Sequence, residues 1–166
     1  MASLPDGYPT EAFAAFDFLK TRQRLSVEDL KVLAMIECYG EVFYEILAQG
    51  VHDEEAQALL KRNAAEERGH AHRCLKAISL LGGGAYELPS REENPFMAMA
   101  PAEIPMNAAL IGLLEQGEVD GDLAYQHWAD AEPLAEVAQL YRLNGREEIR
   151  HCERVGQVKA RLQLSA

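Results

Sequence analysis

Cysteine is scarce in this chain, and its three cysteines, Cys38, Cys74 and Cys152, lie far apart in the sequence. They form no CxxC pair, so the sequence argues against a disulfide framework and against a cysteine-rich zinc or iron module. Reduced thiols are typical of cytoplasmic proteins, and we expect that location here.

Basic residues are also few, because 16 lysines and arginines accompany 27 aspartates and glutamates, which gives a formal net charge of −11. Such an acidic balance argues against binding to nucleic acid or to an anionic membrane surface. The sequence has no apolar run of about 18 residues, the length that predicts a membrane span. Its first residues show no basic region followed by an apolar stretch, so we expect no signal peptide.

Strand-like alternation is absent as well, whereas apolar residues recur at helical spacing through most of the chain. This spacing predicts a short helix within residues 10–24, packed on the outside of four longer helices. We expect the longer helices A, B, C and D at about 26–49, 54–81, 105–130 and 133–163. Residues 1–9 are expected to form a trailing lead-in.

Glycine and proline concentrate between helices B and C, with three of each in residues 82–104. So long a connection in a compact helical domain predicts a crossover that lets helices B and C lie parallel. We therefore expect an all-α four-helix bundle over residues 26–163, with a long B–C crossover. Residues 1–25 would supply the lead-in and the short extra N-terminal helix.

Several residues predict where the helices begin and end. Ser26, with an aspartate three positions later, is a capping signal for helix A, and Asp53 is a cap for helix B. Gly50 is expected to close helix A in a left-handed conformation. Pro105 and Pro133 suit the first turns of helices C and D.

The most informative pattern is an internal repeat. Glu67 and His70 belong to an EExxH motif that recurs at Glu148 and His151, with the offset 148 − 67 = 151 − 70 = 81. The same offset relates an upstream E-x-x-G-x-x-x-Y pattern in the two halves of the chain. Its members are Glu37, Gly40 and Tyr44 in the first half and Glu118, Gly121 and Tyr125 in the second.

Steps of three and four residues place the repeated acidic and histidine side chains on the apolar, inward face of each helix. Four buried carboxylates would be costly without compensation, and two divalent cations would balance their charge. Oxygen-rich, sulfur-free coordination favours iron, with manganese as the alternative, over zinc. The six candidate metal ligands are Glu37, Glu67, His70, Glu118, Glu148 and His151.

The ligands divide into two roles, because a carboxylate can bridge two ions whereas a neutral imidazole binds one. Glu67 and Glu148 are the expected bridges, and Glu37 and Glu118 are the expected terminal ligands. Glu115 precedes Glu118 by about one turn, but it lies off the inward stripe and has no acidic counterpart 81 residues earlier. We take Glu118 as the ligand and leave open whether Glu115 joins or replaces it.

Two repeated residue types stand close to the candidate ligands. Tyr44 and Tyr125 lie two turns beyond the terminal glutamates and are candidate catalytic residues, through hydrogen bonding to the ligands or redox chemistry, with core packing as an equal alternative. A glycine within a helix costs up to about 1 kcal/mol relative to alanine. Gly40 and Gly121 therefore indicate a close approach between helices or access for a substrate.

The remaining acidic and histidine residues receive simpler interpretations. Glu66 and Glu147, the first residues of the two EExxH motifs, are expected to be solvated neighbours, although each can reach the histidine four residues later. His52, His72 and His127 have no partner pattern and are expected to lie on the surface or to serve packing.

The order Glu, ExxH, Glu, ExxH resembles the ferritin-like di-iron carboxylate superfamily, and within it the rubrerythrin-like and bacterioferritin-like proteins. The resemblance covers about residues 26–163 and implies the six ligands already named, on a ferritin-like bundle. It also places Tyr44 where rubrerythrin-like proteins carry a tyrosine. Two features depart from a full rubrerythrin: no paired CxxC motifs of a rubredoxin module follow, and Gly121 occupies the position of an additional glutamate.

The resemblance implies a di-iron oxidoreductase that reacts with dioxygen or peroxide and receives electrons from a donor that the sequence does not identify. We also expect a homodimer. The alternative from a different class is an iron-binding, ferroxidase-type storage protein assembled into a shell. A third possibility is an inert bundle whose acidic interior binds no metal.

Overall fold

A computed structural model describes residues 3–97 and 104–164 of the chain. Within these ranges the chain is all-α, as predicted, with five α-helices, one short 3₁₀ turn and no β-strand. The helices are α1 (Ala12–Lys20), α2 (Val27–Gln49), α3 (Glu54–Leu80), α4 (Ala108–Ala131) and α5 (Ala135–Arg161), and the 3₁₀ turn is Pro95–Met97.

The N-terminal caps of the first two long helices follow the sequence prediction. Ser26 caps α2 with a reciprocal pair of bonds: its Oγ accepts from the backbone N–H of Asp29 at 3.1 Å, and its own N–H donates to Asp29 Oδ2 at 2.8 Å. Asp53 caps α3, because its Oδ1 accepts from the N–H of Ala56 at 2.8 Å. Both caps satisfy backbone donors that have no partner inside the helix.

The prediction for the end of α2 was wrong in conformation. Gly50 follows the last helical residue, but its φ of −80° is right-handed and its N–H still bonds to Ile46 O at 3.2 Å. The turn to α3 is stabilised instead by Gln57, whose Nε2 donates to Val51 O at 2.6 Å. A left-handed residue is therefore not needed to close this helix.

The prolines before α4 and α5 lie outside the helices, so the predicted starts at Pro105 and Pro133 were too early. Asn107 caps α4, since its Oδ1 accepts from the N–H of Leu110 at 2.9 Å, and helical residues begin only after it. The first helical bonds of α5 are made to the carbonyl oxygen of Leu134, which itself has an extended backbone. The Asn107 side chain therefore sets the start of α4, and the carbonyl oxygen of Leu134 sets the start of α5. Neither proline does so.

The long helices pack as two hairpins, α2 against α3 and α4 against α5, and α3 also packs against α5. Short turns at 50–53 and 132–134 join the members of each hairpin. The connection between the hairpins includes residues 98–103, which lie outside the described ranges, so the predicted crossover route stays a prediction.

Two apolar clusters occupy the two ends of the bundle, and every long helix contributes to both. A layer of buried acidic and histidine side chains separates them along each helix. The larger cluster includes Leu30, Leu33, Ile78, Trp128, Val137 and Tyr141. The smaller cluster includes Leu47, Leu60, Ile111, Val155 and Val158. The fold therefore holds the candidate ligands at mid-height, away from both ends.

The N-terminal segment is packed more closely than a trailing lead-in. Tyr8 donates a hydrogen bond from its hydroxyl to Asp29 Oδ1 at 2.6 Å, which contradicts that expectation for this residue. Leu19 of α1 is fully buried, and Phe16 meets Trp128 edge to face at 6.1 Å between ring centroids.

Among the described helices, none combines the length and apolar character needed to cross a membrane.

We predict that Ser26→Ala lowers the free energy of unfolding by about 1 kcal/mol, because it removes the acceptor that caps α2. Urea denaturation followed by circular dichroism measures the change. Ser79→Ala is the matched control: Ser79 is exposed near the end of α3, where alanine is neutral or slightly stabilising. Equal stability of the two variants would contradict the capping role.

Candidate metal centre

The structure brings the six candidate ligands together in the middle of the bundle, and none is more than 7 % exposed. The ligand atoms form two groups, and within each group all the atoms lie within 4.8 Å of one another. One group contains Glu37, Glu67 and His70, and the other contains Glu67, Glu118, Glu148 and His151. Each long helix contributes to this cluster. The geometry is that of a candidate metal site.

One half of the cluster is arranged around Nδ1 of His70. This atom lies 3.3 Å from Glu37 Oε2, 3.5 Å from Glu67 Oε2 and 3.5 Å from Glu148 Oε1. Three carboxylates from three helices therefore converge on one imidazole nitrogen. A cation placed among these atoms would have one nitrogen and at least three oxygens as neighbours.

The other half repeats this arrangement around Nδ1 of His151. The nitrogen lies 3.3 Å from Glu118 Oε2, 3.3 Å from Glu148 Oε2 and 3.4 Å from Glu67 Oε1. Glu67 and Glu148 thus direct one oxygen toward each imidazole, as carboxylates that bridge two cations do. The two imidazole rings are stacked, with centroids 5.3 Å apart and an interplanar angle of 15°.

Of the three buried side-chain polar atoms that lack a hydrogen-bond partner among the described residues, two belong to His151 and the third is the Tyr141 hydroxyl. Neither ring nitrogen of His151 makes a hydrogen bond of acceptable geometry to any described residue, although several carboxylate oxygens surround the ring. An unsatisfied buried polar atom costs about 1–3 kcal/mol. A cation at Nδ1 would remove that cost, so the donor set fits a metal.

The carboxylates differ in their electrostatics. Burial raises the pKa of Glu37 to about 8, and burial likewise raises the pKa of Glu118 well above its ordinary value. Burial also acts to raise the pKa of Glu67 and Glu148, but the two imidazoles overcome it and lower the pKa of both. Burial therefore favours the protonated form of Glu37 and Glu118, whereas the imidazoles favour the ionised form of Glu67 and Glu148.

The tyrosines cross between the halves. Tyr44 donates a hydrogen bond to Glu118 Oε1, and Tyr125 donates one to Glu37 Oε1. Both hydroxyls are deeply buried, and burial together with the neighbouring carboxylates raises the pKa of each well above 10.0. Each tyrosine thus orients the carboxylate of the expected terminal ligand in the other half. Because the later residue of each helix pairs with the earlier residue of the other, α2 and α4 run antiparallel.

The two repeated glycines face the carboxylates of Glu67 and Glu148, the expected bridges. A Cβ on Gly40 would lie 3.0 Å from Glu67 Cδ, and one on Gly121 would lie 3.2 Å from Glu148 Cδ. These distances are tighter than ordinary van der Waals contact. The glycines therefore provide the close approach that their position in mid-helix indicates.

Comparison with known protein families gives an independent observation. The family model described as rubrerythrin matches residues 28–159, which is most of the chain and includes all six candidate ligands. The chain belongs to the rubrerythrin family. The searches of curated proteins and of solved structures gave no match.

The rubrerythrin-family cluster has further acidic partners that the sequence analysis placed wrongly. Glu66 and Glu147 are neither freely solvated nor paired with the histidine four residues later. Glu66 Oε2 lies 3.2 Å from Nε2 of His151, and Glu147 Oε2 lies 3.2 Å from Nε2 of His70. Each reaches across to the other half because α3 and α5 pack directly against each other.

Arg154 and Asn63 complete one of these contacts and were missed by the sequence analysis as functional residues. Arg154 is only 6 % exposed and donates to both oxygens of Glu66, at 2.8 and 3.0 Å. It also donates to Asn63 Oδ1 at 2.9 Å, while Asn63 Nδ2 donates to His151 O at 3.3 Å. Glu66 therefore lies fixed beside the far nitrogen of His151, and Asn63 bonds to the backbone of the same residue.

An equivalent set supports the other imidazole. Arg73 donates to Glu147 and to Asn144, the counterparts of Glu66 and Asn63. The repeat offset reveals the match, since 73 + 81 = 154 and 63 + 81 = 144. Extending the search for the offset to arginine and asparagine would have found both sets from the sequence.

Glu115 lies apart from the cluster, whereas Glu118 lies within it. Glu115 Oε2 is 3.4 Å from Lys159 Nζ, and its backbone oxygen accepts a hydrogen bond from Cys152 Sγ. The role of Glu118 as a ligand stays a prediction, but its position favours it over Glu115. The histidines assigned to the surface or to packing are all exposed: His52, His72 and His127.

We predict that Gly121→Ala weakens metal binding roughly tenfold or more, because its Cβ displaces the carboxylate of Glu148. Calorimetric titration with manganous or ferrous ions measures the affinity. Gly112→Ala is the matched control on α4, because a Cβ there meets no described atom within 4 Å beyond its own helix. It should bind metal normally and gain up to about 1 kcal/mol of stability. Unchanged affinity in Gly121→Ala would contradict the close-approach role.

We also predict that Glu66→Ala lowers metal affinity about 10- to 100-fold, because the ring of His151 loses the carboxylate that lies 3.2 Å from its far nitrogen. Glu66→Gln keeps an acceptor and should have a smaller effect. Glu153→Ala, which removes an exposed acid on α5, controls for the loss of negative charge. If Glu66→Ala and Glu153→Ala bind metal equally well, the supporting role of Glu66 is wrong.

Proposed function

We propose that this protein binds two divalent metal ions, with iron as the physiological metal and manganese as the alternative, and acts as an oxidoreductase toward dioxygen or peroxide. The observation that carries the proposal is the pair of near-identical half-sites. In each, one imidazole Nδ1 faces three carboxylates, and Glu67 and Glu148 belong to both.

The residues fit this assignment in number and in charge. Glu37 and His70 would hold one ion, Glu118 and His151 would hold the other, and the two shared carboxylates would lie between them. Four carboxylates balance two divalent cations, so the ions would replace the protons that otherwise compensate the buried charge. A mainly oxygen donor set without sulfur suits iron or manganese.

Bound ferrous ions would supply the two electrons that reduce dioxygen or peroxide. The protein's own part is to orient ligands, hold protons and limit water. Tyr44 and Tyr125 hold a proton on the hydroxyl oxygen and present it to the terminal carboxylates. The apolar clusters at both ends of the bundle exclude water, which strengthens each electrostatic interaction between them.

The experiment that tests this proposal compares Glu118→Gln with Glu115→Gln, a matched pair about one turn apart on α4. Each protein is loaded with ferrous ions without air, mixed with dioxygen or peroxide, and followed by optical and Mössbauer spectroscopy. We expect rapid oxidation in the wild type and in Glu115→Gln, and at least about a tenfold slower reaction in Glu118→Gln, which loses a charged ligand.

Other outcomes would contradict the proposal in different ways. A wild-type protein that binds no metal, with an unchanged melting temperature on adding ferrous or manganous ions, would indicate an inert bundle. Oxidation accompanied by accumulation of iron in a large assembled shell would indicate storage instead of an oxidoreductase. Size-exclusion chromatography separates that case from a small oligomer.

A further inference from the structure

A pocket of about 150 Å³ lies between α1, α2 and α4 and reaches the candidate metal centre. It opens on the side of the bundle where α2 and α4 face each other, opposite the helices that carry the two histidines. The pocket lies between the two apolar clusters and borrows wall residues from both, such as Ala12 of the larger cluster and Tyr44 of the smaller one. Its position gives an approach to the centre from outside.

The walls of this pocket are aromatic and aliphatic, and three helices build them. The rings of Tyr39 and Phe43 are stacked with centroids 5.8 Å apart, and Phe13 meets Tyr39 edge to face at 6.2 Å. Leu113 and Leu114 form the opposite wall. Phe13 and Leu113 stay 69 % and 73 % exposed, so apolar surface is left open at the mouth.

The floor of the pocket is formed by the carboxylates of the candidate centre. Glu37, Glu67, Glu118 and Glu148 all line it, and no histidine of the described residues does. The imidazoles approach the centre from α3 and α5, on the far side. A molecule in the pocket would therefore meet the side of the centre that the protein's nitrogen ligands leave free.

The chemistry of the lining restricts what can bind. No lysine or arginine of the described chain lines the pocket, so an anionic ligand would lose its hydration without gaining a basic side chain as a partner. A strongly hydrated cation would gain little from aromatic and leucine walls. An uncharged apolar molecule is the class that these walls favour, because binding removes exposed apolar surface from water.

The volume indicates the size of that molecule. Apolar cavities of about 150 Å³ accept benzene in other proteins, and the pocket has this volume. Dioxygen and peroxide need much less space. We propose that the pocket binds a small uncharged apolar molecule, about the size of one aromatic ring, beside the four carboxylates, and that such a molecule is the substrate class of the centre. Only the substrate role rests on the oxidoreductase function proposed above.

Toluene binding to the full chain tests the pocket directly. Gly117 lies at the pocket lining, and a Cβ there would meet no described atom within 4 Å beyond its own helix, so Gly117→Leu places a side chain in the free space. We expect toluene to bind wild type measurably in calorimetric or ligand-observed NMR titrations. Gly117→Leu should bind it about tenfold or more weakly, since small apolar groups in such pockets change affinity by this order.

Gly112→Leu is the matched control for this variant. Gly112 lies on the same helix, also has open space around its Cβ, and does not line the pocket. Its affinity for toluene should equal that of the wild type. Absence of toluene binding in the wild type, or equal affinity in Gly117→Leu and Gly112→Leu, would overturn the proposal.

A second measurement separates the pocket from the metal function. In protein loaded with manganous ions, the paramagnetic metal should enhance the relaxation of bound toluene protons, and Gly117→Leu should abolish the enhancement. Toluene binding without any metal binding would overturn the oxidoreductase function and leave the pocket supported. Metal binding without toluene binding would overturn the pocket alone.

Two other occupants of this face would each overturn the proposal. If Leu113→Glu converts a dimer into a monomer and toluene binds neither species, the exposed apolar mouth is a contact between copies of the chain. If Gly117→Leu slows loading of ferrous ions without changing toluene affinity, the pocket is an entry route for metal.

Discussion

Four carboxylates buried between two apolar clusters are the constraint on which the rest of this structure depends. Leaving one charge without compensation in such a place costs several kcal/mol, so the bundle is stable only if protons or cations neutralise the layer. The imidazoles and the tyrosine hydroxyls contact these four carboxylates, and two glycines without a Cβ leave room for them. Both the fold and the proposed chemistry follow from how that charge is balanced.

Each hairpin already places its own glutamates beside its imidazole, and contacts between the hairpins complete the balance. Glu66 contacts His151, Glu147 contacts His70, and Tyr44 contacts Glu118, each from the opposite half of the chain. A single hairpin would therefore contain an incomplete half-site. Docking of the two hairpins and completion of the centre are one event, so a metal that binds the complete centre also stabilises the docked fold.

The sequence predicts much of this arrangement, because helical period and repeat offset both record which face of a helix points inward. The ligand faces and the four long helices follow from those two signals. Neither signal tells which opposing helix a side chain will meet, and for this reason the partners of Glu66 and Glu147 were predicted wrongly. The end of α2 at Gly50 depends on the bond from Gln57 to Val51, and the start of α4 after Pro105 depends on the Asn107 cap. The local preferences of glycine and proline reveal neither contact.

The two halves of the chain are alike at the candidate metal centre and differ around it. Trp128 and Tyr141 surround Tyr125 on one side, whereas their counterparts near Tyr44 are leucines, since 128 − 81 = 47 and 141 − 81 = 60. No helix among the described residues of the second half corresponds to α1, which supplies Phe13 to the pocket wall. A duplicated centre can hold two metals, but it does not choose a substrate. In the pocket proposed above, selection would fall to residues outside the repeat, such as Phe13 where α1 meets α2 and α4.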